Sequence, residues 1–330
     1  MKTTNPFLSL GFCLLTTSLL TVRAAIESDL LGQAISVPDD ARGLVVLAGN
    51  VDANDVASVL NKAPVVLLVV TPDEKSRMQQ QAALAGAGAL GQVSVVTLDK
   101  DGRIPLADNS AAVVATDLDT VTSLTESEVK RITRPFGTIH IFKDTQWTKQ
   151  VKPRPKGMAD WTHYHSDPAN SEHSPDTHVG PARGIQWIAG PTNRQHANWI
   201  KNETVLTTHV ARGEDSRIAG LMMRDAFSGL PMWYKPGVQP LTRFAVVLDE
   251  KYLYFHGVER AGPQPYTVAF DRVTGKRVRT YDQGLNFTVT DEEKKKDRRA
   301  VQYALKRGED LQFRLVGDVL VQVLRSEIVA

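Results

Sequence analysis

Two short stretches in the second half of the chain constrain its fold more than anything else. Asp225-Ala226-Phe227-Ser228-Gly229 and Asp271-Arg272-Val273-Thr274-Gly275 share a D-x-x-[ST]-G core, and their aspartates stand 46 residues apart. An aspartate ahead of a glycine turn can accept hydrogen bonds from its own backbone, and glycine supplies the positive φ that lets the chain reverse into the next strand. Each core follows a short apolar run, 221–223 in one case and 267–270 in the other. A second similarity links Val246–Tyr254 with Arg314–Val321, both reading as strand, polar turn, strand. Units of short strands and glycine turns recurring every ~40–50 residues predict an all-β array of propeller type. Trp233, four residues after Gly229, is placed to pack between neighbouring units. Arg279 stands where the second unit should carry a tryptophan.

The first half follows a different rule. From Gly43 the apolar residues fall in blocks at 44–48, 65–70, 93–98, 111–115 and 138–142, rich in Val and Ile and without strict alternation. Strands buried on both faces of a parallel sheet read this way. Helical stretches lie between them at 52–60, 73–87 and 123–132. Thr71-Pro72 followed by Asp73 and Glu74 is a good helix start. This alternation predicts a doubly wound α/β domain over residues 25–148.

The N-terminus reads as an address. Lys2, an apolar run from Phe7 to Leu20, and Val22-Arg23-Ala24 make residues 1–24 a secretory signal cut after Ala24. The expected location is therefore periplasmic or extracellular. Cys13, the single cysteine of the 330 residues, lies inside that segment, so no disulfide framework or thiolate cluster is available. Lys plus Arg number 39 and Asp plus Glu 37, a balance that argues against a nucleic-acid partner. No later stretch is apolar enough to span a bilayer.

Several motifs resemble those of known families. Ile104-Pro105-Leu106-Ala107-Asp108-Asn109-Ser110 resembles a turn of class I S-adenosylmethionine methyltransferases, as do Arg134-Pro135-Phe136-Gly137 and Val69-Val70-Thr71-Pro72-Asp73. The resemblance covers roughly residues 40–145 and implies a Rossmann-like fold. It also implies a loss of activity. The turn Leu47-Ala48-Gly49-Asn50-Val51-Asp52 has one glycine where the family carries three, and the acid that would hold the ribose hydroxyls falls at Val69. In the second half, "MMRDAFSGLPMW" is similar to the repeat of pyrroloquinoline quinone (PQQ)-like propellers. The D-W-T-H segment at 160–163, Val179-Gly180-Pro181 and Gln186–Pro191 extend the likeness to exported bacterial proteins that join both domains.

Between them, 151–157 is rich in Pro and Lys, and residues 149–180 read as a linker. His163, His165 and Asp167 in this stretch are the candidate metal ligands, with a polar loop as the simpler alternative. Residues 181–330 suffice for about three blades, fewer than the ~4–8 of a closed ring. The chain stops at Glu327-Ile328-Val329-Ala330, inside an apparent strand, so this half reads as a partial, truncated propeller. Asn202-Glu203-Thr204 and Asn286-Phe287-Thr288 match the glycosylation sequon.

The expected whole is an α/β Rossmann-like domain followed by an all-β, incomplete PQQ-like β-propeller. Its expected role is a non-catalytic binding or scaffold protein of the envelope, recognising another protein or a polymer, with no catalytic residue and no cofactor. The first alternative is a quinoprotein dehydrogenase holding PQQ with Ca²⁺; the second is an S-adenosylmethionine-dependent methyltransferase.

Overall fold

The computed structural model describes residues 42–49, 51–62, 65–178, 185–188, 195–209, 220–259, 266–281, 312–324 and 327–329. The signal segment, the Asn286 sequon and the charged run 291–299 lie outside them. The chain divides between Lys152 and Pro153 into two compact units.

The first unit is built on one six-stranded sheet. Its strands are β1 (Gly43–Ala48), β2 (Val65–Thr71), β3 (Val93–Thr97), β4 (Ala111–Asp117), β5 (Thr133–Lys143) and β6 (Gln146–Val151), in the order β3-β2-β1-β4-β5-β6. Strands β1 to β5 pair in parallel, and β6 folds back antiparallel on β5. Three helices connect them: α1 (Ala53–Lys62), α2 (Glu74–Gly86) and α3 (Glu126–Ile132). Val45, Leu47, Leu67 and Val69 bury one face of the sheet with Val56 of α1 and Leu84 of α2. Val46, Ala48, Val70 and Val114 bury the other with Val129 and Ile132 of α3. Five apolar blocks thus become β1 to β5, and four of them, β2, β1, β4 and β5, are central strands covered on both faces.

Two expectations change here. The Arg134–Gly137 stretch is not a turn ahead of a strand. It lies inside β5, at a register shift opposite Ala111 and Val113, with Phe136 at φ 62°. A bulge of this kind lets a proline sit within a paired strand. The sixth strand is new. Its burial alternates poorly and it has few apolar residues, as an edge strand can. Lys152 closes it: its ammonium donates to Asn109 Oδ1 (2.8 Å), Lys130 O (2.7 Å) and Thr133 O (2.6 Å).

The described residues of the second unit form three antiparallel sheets. The first holds β7 (Gln195–Lys201), β8 (Thr204–His209), β9 (Gly220–Asp225) and β10 (Pro231–Pro236), each paired with the next. The second is built from β11 (Val238–Pro240), β12 (Val246–Leu248), β13 (Tyr252–Glu259), β14 (Tyr266–Asp271) and β15 (Arg277–Tyr281). The third runs β16 (Gln312–Val316), β17 (Val319–Leu324), β18 (Glu327–Val329). Strand β12 lies against both β7 and β16. Trp199, Leu206, Met223, Phe255 and Phe270 form a fully buried core shared by the first two sheets.

From Pro153 to His178, the segment expected to be a solvated linker belongs to this unit, while its residues 149–152 belong to the first. Trp161 and Ile200 exchange backbone hydrogen bonds, both 2.8 Å, and Leu248 N–H donates to Thr162 O (3.1 Å). Arg154 donates to Asp160 Oδ2 (3.1 Å) and Asn202 Oδ1 (2.6 Å). Asp160 also accepts from Lys201 (3.0 Å) and from the Asn202 backbone (2.8 Å).

Candidate functional site

A concavity of the α/β unit forms where its topology reverses. Strand order turns at β1, with β2 on one side and β4 on the other, and a ligand crevice is expected at the carboxyl ends of strands flanking such a point. A cleft of about 1100 Å³ lies there, lined by Gly49 after β1, Asp52 and Asp55 of the α1 start, Thr71 at the end of β2, one side of α2, and Thr120 after β4.

Each lining group is held locally. Gly49, at φ 145°, leaves β1 while its N–H still reaches Val70 O (3.0 Å). Asp52 caps α1, its Oδ1 accepting from the N–H of Asn54 (2.8 Å) and Asp55 (3.2 Å). Asp73 caps α2 through the N–H of Ser76 (2.8 Å), and that hydrogen bond holds its carboxyl below the usual carboxylate range. Between the two caps, the buried Gln80 side chain donates from Nε2 to Val51 O (2.8 Å), tying the loop after β1 to α2. Thr71 Oγ1 donates to Val96 O (3.2 Å), stitching β2 to the end of β3. Two carboxylates line the cleft, and among its described lining residues none is Lys, Arg or His.

Of the three motifs behind the methyltransferase resemblance, the one at 69–73 brings Thr71 and Pro72 to the cleft, and the other two fall elsewhere. Residues 104–110 lie at the amino end of β4, the sheet edge opposite the cleft. Arg131 explains them: its guanidinium donates to Ile104 O (3.0 Å), Leu106 O (2.9 Å) and Asp108 Oδ1 (2.6 Å), and forms a two-pronged pair with Glu128 (2.7 and 2.6 Å). The guanidinium holds the Glu128 carboxyl below its usual range. Val69, where the resemblance put the ribose-binding acid, is fully buried inside β2. The residue at the strand's edge is Thr71, two positions on.

The candidate metal ligands are each engaged separately. His163 is buried, with Nδ1 2.9 Å from Thr162 Oγ1, and Nε2 accepting from Leu315 N–H (3.1 Å). Burial, with a smaller contribution from nearby Arg314, pushes its imidazole down to about 4. His165 Nδ1 meets Glu172 (2.7 Å), and Asp167 accepts from the backbone (3.0 Å) and hydroxyl (2.6 Å) of Ser171. Among the described residues no three His, Cys, Asp or Glu side chains form a group that could hold a metal ion. Asn202 is likewise spent: it is buried, and its amide bonds Arg154 and Glu250 (2.7 Å).

The repeat motif builds a joint, and builds it twice. Asp225 Oδ1 accepts from the N–H of Phe227 (3.0 Å) and Ser228 (2.8 Å) and from Ser228 Oγ (3.0 Å). Asp271 Oδ1 accepts in the same way from Val273 (3.1 Å), Thr274 (2.7 Å) and Thr274 Oγ1 (2.8 Å). Gly229 and Gly275 follow at φ 71° and 70°. Trp233 lies on Gly275, where a Cβ would meet its ring at 2.8 Å, and its indole N–H donates to Arg272 O (2.9 Å). Trp187 does the same at Gly229, where a Cβ would run into its ring, and its indole N–H donates to Ala226 O (3.1 Å). Trp187 and Trp233 are 46 residues apart, the spacing of the two aspartates. Arg279 instead lies over the Tyr281 ring, 4.8 Å from its centroid.

No protein-family profile matches the chain, and no curated protein does. Solved structures do. One is an S-adenosyl-L-methionine-dependent methyltransferase from Methanococcus maripaludis, with 15% identity and a TM-score of 0.32, covering 43% of this chain and 66% of that one. A second is geranyl diphosphate methyltransferase in complex with SAM, at 15% identity and 0.31, covering 42% and 55%. A third is the [4+2]-cyclase SpnF, at 14% and 0.29, covering 34% and 42%. The chain spans less than two thirds of the length of each.

The α/β unit is a doubly wound, Rossmann-like fold by its own strand order. The expectations of a non-catalytic envelope scaffold and of no cofactor are corrected by these neighbours, which are named as enzymes, mostly SAM-dependent methyltransferases. At such identities the likeness concerns the fold, and the ligand has to be argued from the residues of the cleft.

Proposed function

We propose that the cleft of the α/β unit takes an adenosyl sulfonium ligand of the S-adenosylmethionine class and that the unit serves methyl transfer. The observation that carries this is the sign of the lining: two carboxylates, neutral hydroxyl and amide groups, and no basic side chain among the described lining residues. A dinucleotide brings phosphates, which bind at open helix N-termini or beside cations. Here Asp52 and Asp73 already fill the N-termini of α1 and α2, so a phosphate would meet like charge. A ligand carrying a sulfonium and an ammonium group is drawn to the same lining.

When bound, such a ligand supplies the activated methyl group. The chain's own part is placement. Asp52 and Asp55 attract the cationic end, Thr71 at the end of β2 and Ser76 and Gln79 on α2 offer neutral hydrogen bonds, and Gln80 keeps the loop after β1 in position. With Thr71 rather than an acid at the edge of β2, the ribose hydroxyls lose a charged acceptor, and binding leans on the cationic end instead.

Calorimetry of the full chain tests this reading. S-adenosylmethionine should release heat on binding while NAD⁺ and ATP do not, and a joint Asp52→Asn/Asp55→Asn change should weaken binding about tenfold or more. Asparagine caps a helix nearly as well as aspartate, so the loss reports charge. No heat with S-adenosylmethionine, or equal heat with ATP, overturns the reading.

The three antiparallel sheets are proposed as successive blades of a PQQ-like propeller. The twice-built tryptophan joint and the placement of β12 between β7 and β16 support it. A crystal structure showing these strands in a sandwich rather than around one axis would refute it.

A further inference from the structure

A second cavity, of about 510 Å³, lies within the β-rich unit. That volume falls in the ~300–1,000 Å³ range of small-molecule sites. Its described lining draws on a hairpin of each sheet: Lys201 where β7 turns into β8, Asp249–Tyr252 between β12 and β13, and Gly317-Asp318 between β16 and β17. The last two turns belong to the strand–turn–strand pair whose similarity stands out in the sequence. Thr162, His163 and Pro168 supply a further wall. The loop that carries them is pinned. Thr177 N–H donates to Gly157 O (3.0 Å), Asp160 pairs with Lys201 (3.0 Å), and His163 Nε2 accepts from Leu315 N–H of β16 (3.1 Å). A cavity held this way is preformed, and a ligand entering it orders little further chain.

We propose that this cavity binds a neutral mono- or disaccharide. Its polar lining favours a ligand of no net charge. Lys201 bridges Asp160 and Glu250, and Asp249 accepts from Tyr254 Oη (2.8 Å) and from the backbone N–H of Lys251 (2.7 Å) and Tyr252 (2.5 Å). These charges are matched within the protein. Lys251 and Asp318 are exposed, with opposite charges, on two turns that line the same cavity. An ion of either sign would be drawn to one and repelled by the other. Sugar hydroxyls both donate and accept, so ammonium and carboxylate serve them alike. Tyr252 and Tyr254, with ring centroids 6.2 Å apart, join Leu248 and Leu315 in giving the aromatic and apolar surface that suits the C–H faces of a sugar ring. The site lies in a different unit from the adenosyl cleft and is independent of the methyl-transfer reading.

Saturation-transfer NMR on the full chain tests this with glucose, galactose, N-acetylglucosamine, cellobiose and lactose as probes. At least one of them should receive saturation from the protein. Its Kd, read by titration, should rise about tenfold with Tyr252→Ala and several-fold with Asp318→Ala. Asp318 is exposed on its turn, so its replacement spares the fold, and circular dichroism checks both variants. Val278→Ala, at an exposed side chain on β15 outside the cavity lining, should leave the affinity unchanged. Transfer to none of the five sugars overturns the proposal, as does binding that ignores both cavity substitutions or weakens equally with Val278→Ala. Displacement of the sugar by glycine or inorganic phosphate at equal concentration also overturns it, since the cavity would then be an ion site.

Discussion

The two units stabilise their backbones by opposite means. In the α/β unit neighbouring strands come from distant sequence, as Val45 pairs with Val113 and Val113 with Thr138, and both sheet faces are covered by helices or loops. Its cleft belongs to no single motif. It exists because the strand order reverses at β1, and its lining is gathered from the ends of β1 and β2, the side of α2 and the loop after β4. In the β-rich unit the strands are sequential hairpins, and the defining contact is a local joint of aspartate, glycine and tryptophan repeated at fixed spacing. One unit carries its chemistry in its topology; the other carries its architecture in a motif. A site of the first kind is hard to see in a sequence, and a fold of the second kind is easy.

Breaking a joint is the strongest way to test that contrast. Trp233→Ala removes a ring lying on Gly275 and an indole donor to Arg272 O, and should cost about 3 kcal/mol. The loss should appear in the β-rich unit's unfolding transition, with the α/β unit's transition unmoved. An equal loss in both would mean that the two units unfold together.

Next in size is a dependence on acid. His256 is fully buried, with Nδ1 2.9 Å from Thr267 Oγ1, and burial pushes its imidazole from 6.5 down to about 4. Below pH 6.5 the unfolded chain takes up a proton that the folded chain refuses. Stability is therefore full above pH 6.5 and falls progressively as the pH drops toward 4. His163, shifted the same way, adds to the slope. Denaturant midpoints measured across this window should show it, and His256→Asn should flatten it in part.

The smallest effect sharpens the other side of the contrast. Asp73→Ala removes the cap of α2 and should cost about 1 kcal/mol in the α/β unit. Since Asp73 already spends its carboxylate on Ser76, the change should leave calorimetric binding of S-adenosylmethionine within a few-fold. A large loss would make Asp73 a ligand-binding group as well as a cap.

Against this background the legible parts of the sequence are the expected ones. The Val- and Ile-rich blocks marked β1 to β5 because doubly buried strands need apolar residues on both faces. Strand β6 went unmarked because an edge strand needs few. Asp225, Gly229, Asp271 and Gly275 announced their turns through the backbone chemistry of those residue types. Trp187 is a full partner in the same joint but has no aspartate turn of its own before it, so periodicity passed it over. The cleft was harder still: Asp52 and Asp55 look like ordinary helix-start acids, and only the strand order brings them together with Thr71 and Thr120. His163, His165 and Asp167 show the converse, since close spacing in a loop did not bring them onto a common centre.

The paired joints also give the molecule its own optical gauge. Each indole of Trp187 and Trp233 is tied through its N–H to a carbonyl and rests its face on a glycine backbone, so its emission should change once that joint parts. A chain keeping one of these two fluorophores, with the other aromatic rings of its kind replaced, would report the opening of a single hinge while its twin stayed shut.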